Sequence, residues 1–116
     1  NKFVKAGNQG SEPVAIRFSN LLKRFFSKEH VYDEARLTPE ERLRERQSLE
    51  TKELLIELRS LLDSELLKDS EFRSRYYREA LNYLNWFWKE IFAYLGDGEL
   101  PIDNNLAERT IRKLTT

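Results

Sequence analysis

The feature that most constrains the fold is a long stretch without glycine or proline that follows a strong helix start. Thr38 is a favoured N-cap, Pro39 suits the first helical position, and Glu41 completes a capping box. No glycine or proline then interrupts the chain as far as Leu67. Because the first half of the stretch, up to Glu53, is almost wholly polar, we expect one long helix whose polar end projects into water.

Two further segments have helical spacing. The first begins near Ser11 and carries apolar residues at helical intervals as far as Phe25. The other is predicted to begin at Asp69 or Ser70, to run to Leu95 and to stop at Gly96, with two aromatic and aliphatic stripes. No segment has convincing strand character. The sequence therefore predicts an all-α fold: a long antiparallel helical hairpin packed on an aromatic-rich third helix, followed by a short C-terminal helix.

Composition narrows the functional classes. The chain has 20 basic and 20 acidic residues, so no net field attracts it to nucleic acid or to anionic lipid. It has no cysteine for a thiolate metal site and no apolar run long enough to cross a bilayer, and we expect a cytoplasmic protein without membrane contact. Methionine is absent and the chain begins abruptly at Asn1, so we expect a piece of a larger protein.

The segment Pro101-Ile102-Asp103-Asn104-Asn105-Leu106-Ala107-Glu108-Arg109 is the strongest candidate for function. In one interpretation it is a helix start, with Asn105 as N-cap, Glu108 completing a capping box, and a Glu108–Arg112 pair one turn apart. In the other it belongs to a phosphate-handling site. A helical wheel puts Ala107, Ile111 and Leu114 on one apolar face, with Glu108 at its border. Spacing is compatible with both interpretations.

The residues from Leu100 to Arg112 resemble the C-terminal signature of a bacterial transposase family, insertion-sequence family sixty-six. That family is of the DDE type and has a ribonuclease-H-like α/β core. The resemblance implies that Glu108 is the third catalytic acid. It also implies that residues 1–99 form a helical insertion region and residues 100–116 the segment that carries this acid.

The same resemblance implies the partners of the site. The intact enzyme would use Mg²⁺ (or Mn²⁺), with Glu108 as a metal ligand, to cleave DNA strands and transfer them. Arg109, Arg112 and Lys113 would contact phosphates of the transposon ends and target DNA, or they are only solvated charges on an amphipathic helix. Self-association is expected in the transposition complex. Neither catalytic aspartate of the family has a counterpart in this chain, so we expect it to be inactive alone and to hold no metal. The alternative is a non-catalytic helical protein-interaction module in which Asn105 and Glu108 only cap a helix.

Overall fold

The computed structural model describes residues 12–68 and 75–115, and all regular structure in these ranges is helical. This confirms the predicted all-α class. The elements in chain order are α1 (Glu12–Glu34), α2 (Pro39–Arg46), α3 (Leu49–Leu67), α4 (Arg75–Trp86), α5 (Trp88–Phe92), a 3₁₀ turn (Ala93–Gly96) and α6 (Asn104–Thr115).

Helices α1 and α3 form the predicted antiparallel hairpin. Arg17 of α1 pairs with Glu57 of α3 at 3.4 Å, and Lys28 pairs with Glu50. The partners on α3 occur in reverse order, so the two helices run in opposite directions. Apolar side chains fill the space between them, including Phe18 and leucines of both helices.

The long second helix is interrupted, so the prediction of one continuous helix is wrong. Ser48 adopts an extended backbone conformation and caps α3, its hydroxyl accepting the Thr51 N–H at 3.3 Å. The Thr51 hydroxyl is buried and donates to the Glu45 carbonyl at 3.1 Å. Serine and threonine side chains that bond nearby backbone groups compete with continued helix, which explains the break without glycine or proline.

Helix α2 does not project into water, contrary to expectation. Its capping box at Thr38 and Glu41 forms as predicted. However, α2 packs against the 3₁₀ turn, and Arg46 at its C-terminal end is only 2% exposed. A polar sequence can be buried here because the Arg46 charge is fully provided with partners, as described below.

The connection between α1 and α2 is a tight reversal at Arg36. This residue has φ 54°, in the left-handed region that favours glycine. The Leu37 N–H donates to the Tyr32 carbonyl at 3.2 Å, and the Arg36 N–H donates to the Asp33 carbonyl at 3.1 Å. This is the Schellman pattern of a helix C-terminus, and it directs the chain into α2.

The aromatic third helix is divided at Phe87 into α4 and α5 and ends in the 3₁₀ turn. Its predicted start at Asp69 or Ser70 lies outside the described residues. The helical run does end at Gly96, although φ of this glycine is not positive. Among its aromatic residues, Tyr77 is buried and meets Phe18 edge-on at 6.5 Å, whereas Trp86 is 70% exposed.

Helix α6 is part of the same core and packs on α1 and α4. Leu114 is buried in the cluster formed by the other helices, with Leu106 and Ile111 packed against it. The helix that carries the candidate motif is therefore held by helices from both halves of the chain. Among the described residues, no helix is long and apolar enough to cross a membrane.

Candidate functional site

Helix α6 begins two residues earlier than the Asn105 cap would place its start. Asp103 precedes its first residue, and the Asp103 carboxylate accepts the Leu106 N–H at 3.1 Å. Asn105 lies inside the first turn, and Glu108 lies beyond it. The predicted Asn105–Glu108 capping box is therefore wrong. Asp103 is the cap because its carboxylate accepts a hydrogen bond from the N–H of the third helical residue, and because a negative charge is stabilised at the positive end of a helix.

The apolar face of α6 is as predicted. Ala107 and Leu114 are buried, and Leu106 and Ile111 are half-buried. Thr110 lies on the same face and is completely buried, with its hydroxyl donating to the Leu106 carbonyl at 3.0 Å. Because this bond satisfies the hydroxyl, a threonine is accommodated in the packed interface.

Glu108 is exposed beside an open groove between α1 and α6. The groove has a volume of about 580 Å³ and is lined by Lys23, Phe26, Glu108, Ile111 and Arg112. The predicted Glu108–Arg112 pair is not formed. Within the part of the chain that the structure describes, the Glu108 carboxylate makes no hydrogen bond or ion pair. An exposed carboxylate that has no structural partner and two cations nearby is available to a ligand.

The three predicted DNA-contacting residues take different positions. Arg112 lines the groove with Glu108, and Arg109 is exposed on the same helix. Lys113 is half-buried, and its Nζ lies 5.7 Å from the centre of the Tyr83 ring on α4. This distance is within the range of a cation–π contact. Of the three predicted DNA-contacting residues, only Arg112 shares the groove with Glu108.

The loop that leads into α6 is attached to α2 by Arg46. Its Nη1 donates to the carbonyls of Tyr94 at 3.0 Å and Leu100 at 2.8 Å, and also to that of Asp97. The guanidinium lies 4.8 Å from the centre of the Tyr94 ring. One buried side chain thus fixes both ends of the segment between the 3₁₀ turn and the motif, and with it the start of α6.

A close backbone contact fixes the same loop. A Cβ atom added to Gly98 would lie 1.9 Å from the Pro39 carbonyl oxygen, so no larger residue fits there without movement. Asp97 shapes the turn by accepting the Glu99 N–H at 2.7 Å through its carboxylate. The helix start at Pro39 and the motif loop are therefore in direct contact, although they are far apart in the sequence.

Two ionisable groups near Arg46 have shifted pKa values. Burial, with a smaller contribution from the nearby Glu29 carboxylate, raises the pKa of the Tyr94 hydroxyl well above its ordinary range. A hydrogen bond from Arg42 lowers the pKa of Asp33. Arg42 also donates to Glu29 at 3.1 Å, so two arginines of α2 meet two carboxylates of α1. This ionic cluster holds α2 on α1.

The arrangement does not by itself form a metal site. Among the described residues there is no group of three histidine, cysteine, aspartate or glutamate side chains that could hold a metal ion. Mg²⁺ prefers several oxygen ligands, and Glu108 offers one carboxylate. Glu108 therefore fits the role of one ligand in a larger site, and these residues do not provide the rest.

Sequence reasoning missed two residues. Lys23 of α1 lines the same groove as Glu108, and Arg46 attaches the motif loop. Lys23 gives no local signal, because a lysine on an exposed helix face is ordinary. For Arg46, the sequence offers no distinguishing signal, because Arg42, Arg44 and Arg46 occur in the same polar run.

A protein-family model described as Transposase IS66 family matches residues 1–116, the full length of the chain. Comparison with curated proteins and with solved structures gives no significant match. This match confirms the family to which the residues Leu100–Arg112 pointed.

Proposed function

This chain belongs to the Transposase IS66 family, and we propose that it is the helical insertion and third-acid segment of a DDE transposase. In this proposal residues 1–99 form the insertion region and residues 100–116 carry the acid. The other two catalytic acids, both aspartates, come from outside these 116 residues. The chain alone is then inactive, and the intact enzyme cleaves and transfers DNA strands.

One observation carries the assignment of Glu108 as the third acid. Its carboxylate is exposed, has no partner among the described residues, and stands beside a groove with Lys23 and Arg112. A carboxylate that only stabilised its helix would be expected to cap it or to pair with Arg112. Asp103 does the capping instead, which leaves Glu108 without a structural role.

The metal requirement follows from the chemistry of phosphoryl transfer. Three carboxylates, one of them Glu108, would hold two Mg²⁺ or Mn²⁺ ions, and these would supply Lewis-acid activation of the attacking oxygen and stabilisation of the leaving oxygen. The contribution of this chain is to hold one ligand, Glu108, on a helix that is anchored on two sides. Asp103 fixes the start of that helix, and Arg46 fixes the loop before it.

The proposed partners are DNA and further copies of the transposase. Transposases act on DNA, and Arg109 and Arg112 are exposed on the Glu108 helix where they can neutralise phosphates. Lys113 contributes to the same positive surface while its side chain rests on Tyr83. Self-association would bring two transposon ends together.

The test is Glu108→Gln in the transposase that carries this chain, which preserves shape and removes the charge. We expect strand cleavage to fall by at least about a hundredfold, since a metal-bound carboxylate contributes several kcal/mol to the transition state. Glu53→Gln is the control, because Glu53 is exposed outside the groove. If Glu108→Gln cleaves DNA at the wild-type rate, the chain is better described as a non-catalytic interaction module.

A further inference from the structure

We infer that Lys23 of α1 is a DNA-phosphate contact of the Glu108 groove, so that the helical region itself helps to hold the substrate strand. This inference rests on the proposed function and adds to it a residue from the other end of the chain. Three observations carry it: the position of Lys23, the pairing of the other basic residues of α1, and the composition of the groove.

The basic residues of α1 divide into two groups. Arg17 and Lys28 pair with Glu57 and Glu50 of α3. Arg24 is also close enough to Glu50 to lower the pKa of that carboxyl group, although the Lys28 bond is the main cause. The pairs of Arg17 and Lys28 hold the hairpin together. Lys23 instead lines the groove and makes no hydrogen bond or ion pair with any residue in the described ranges.

The groove matches a sugar–phosphate strand. Phe26 and Ile111 form its apolar part, while Lys23 and Arg112 bring positive charge from its two walls. A phosphate between two cations beside an apolar surface is held more strongly than one in open water, because the local dielectric constant is lower. At about 580 Å³ the open groove has room for a nucleotide unit.

The negative charge of Glu108 leads to a second prediction about DNA affinity. Without metal, its carboxylate repels a phosphate in the same groove, while Lys23 attracts it. Removing the two charges should therefore change DNA affinity in opposite directions. Any exposed lysine or glutamate shifts DNA affinity in these directions through net charge, so the groove residues are identified by the larger size of their effects compared with matched positions elsewhere.

The experiment measures binding of the 116-residue chain to a fluorescent single-stranded oligonucleotide at several salt concentrations, without divalent metal. We expect Lys23→Gln to weaken binding several-fold and to reduce the slope of log affinity against log salt by about 0.7, the value for one phosphate contact on a single strand. We expect Glu108→Gln to tighten binding.

The controls have the same charge changes outside the groove. Lys52→Gln and Glu53→Gln alter exposed residues of α3 and should change affinity much less than their groove counterparts. Circular dichroism checks that every variant is folded.

The inference is overturned if Lys23→Gln and Lys52→Gln have equal effects, or if the wild-type chain shows no salt-sensitive binding. Failure of the proposed function looks different. In that case the transposase with Glu108→Gln would still cleave DNA, whatever the binding measurements show.

Discussion

The guanidinium of Arg46 forms a two-point ion pair with Glu29, with Nε 3.1 Å from Oε2 and Nη2 2.7 Å from Oε1. Both side chains are almost completely buried. The same guanidinium holds the carbonyls of the loop before the motif, so it links α1, α2 and the start of α6. A buried arginine in this position connects the hairpin to the helix that presents Glu108.

Arg46→Met should lower the free energy of unfolding by roughly 3–5 kcal/mol, because it leaves the buried Glu29 charge without its main partner. The double variant Glu29→Leu/Arg46→Met should recover only part of this loss, since the Tyr94 and Leu100 carbonyls still lack their donor. Chemical denaturation measures the free energy of unfolding of the single and the double variant. A double variant as stable as the wild type would show that the carbonyl bonds contribute nothing.

Gly98→Ala should destabilise the protein because its Cβ would collide with the Pro39 carbonyl oxygen. Gly96→Ala is the matched control. A Cβ at Gly96 meets nothing within 4 Å and φ there is not positive, so this change should be neutral or stabilise by up to about 1 kcal/mol. In thermal unfolding, the melting temperature should fall in Gly98→Ala and should stay the same or rise in Gly96→Ala. Equal losses would contradict the close contact.

Asp103→Ala should cost about 1 kcal/mol of stability, because it removes the cap of α6. Asn105→Ala should cost much less, since Asn105 is exposed within the first turn. Amide hydrogen exchange at Leu106 adds a local measurement and should accelerate only in Asp103→Ala. The reverse order of effects would restore Asn105 as the cap.

Arg36→Gly should stabilise the protein, because a non-glycine residue at φ 54° carries a conformational cost of about 1 kcal/mol. Glycine loses more backbone entropy on folding, so the net gain should be below that value. Arg36→Ala removes the same side-chain charge and keeps the strain, so it should give no gain. Urea denaturation midpoints of the two variants make the comparison.

Stability should decrease in acid partly through Glu41. A hydrogen bond from the Thr38 backbone N–H, together with the Thr38 side chain, lowers the pKa of Glu41 below its ordinary value of 4.5. Its contribution is therefore complete above pH 4.5 and is lost as the pH falls through the lower folded-state pKa. Glu41→Gln should flatten the dependence of unfolding on pH in this range. An unchanged pH dependence in Glu41→Gln would contradict this contribution of the capping box.

Local patterns were sufficient for most of the helices. The Thr38 capping box, the end of the helical run at Gly96 and the buried face of α6 were all predicted correctly. The break at Ser48 was missed because a serine that caps and a serine that continues a helix look alike in the sequence. The Asn105 cap was assigned wrongly because Asp103 and Asn105 are both good N-caps.

The sequence by itself determined the all-α class and the position of Glu108 at the edge of an apolar helix face. The backbone hydrogen bonds inside an α-helix and the bonds of its N-cap join residues at most four positions apart, so their patterns can be read along the chain. The tertiary structure alone decided that Arg46 is buried, that Gly98 touches Pro39, and that Lys23 and Glu108 line one groove. These contacts depend on how helices cross, and no local pattern specifies the crossing.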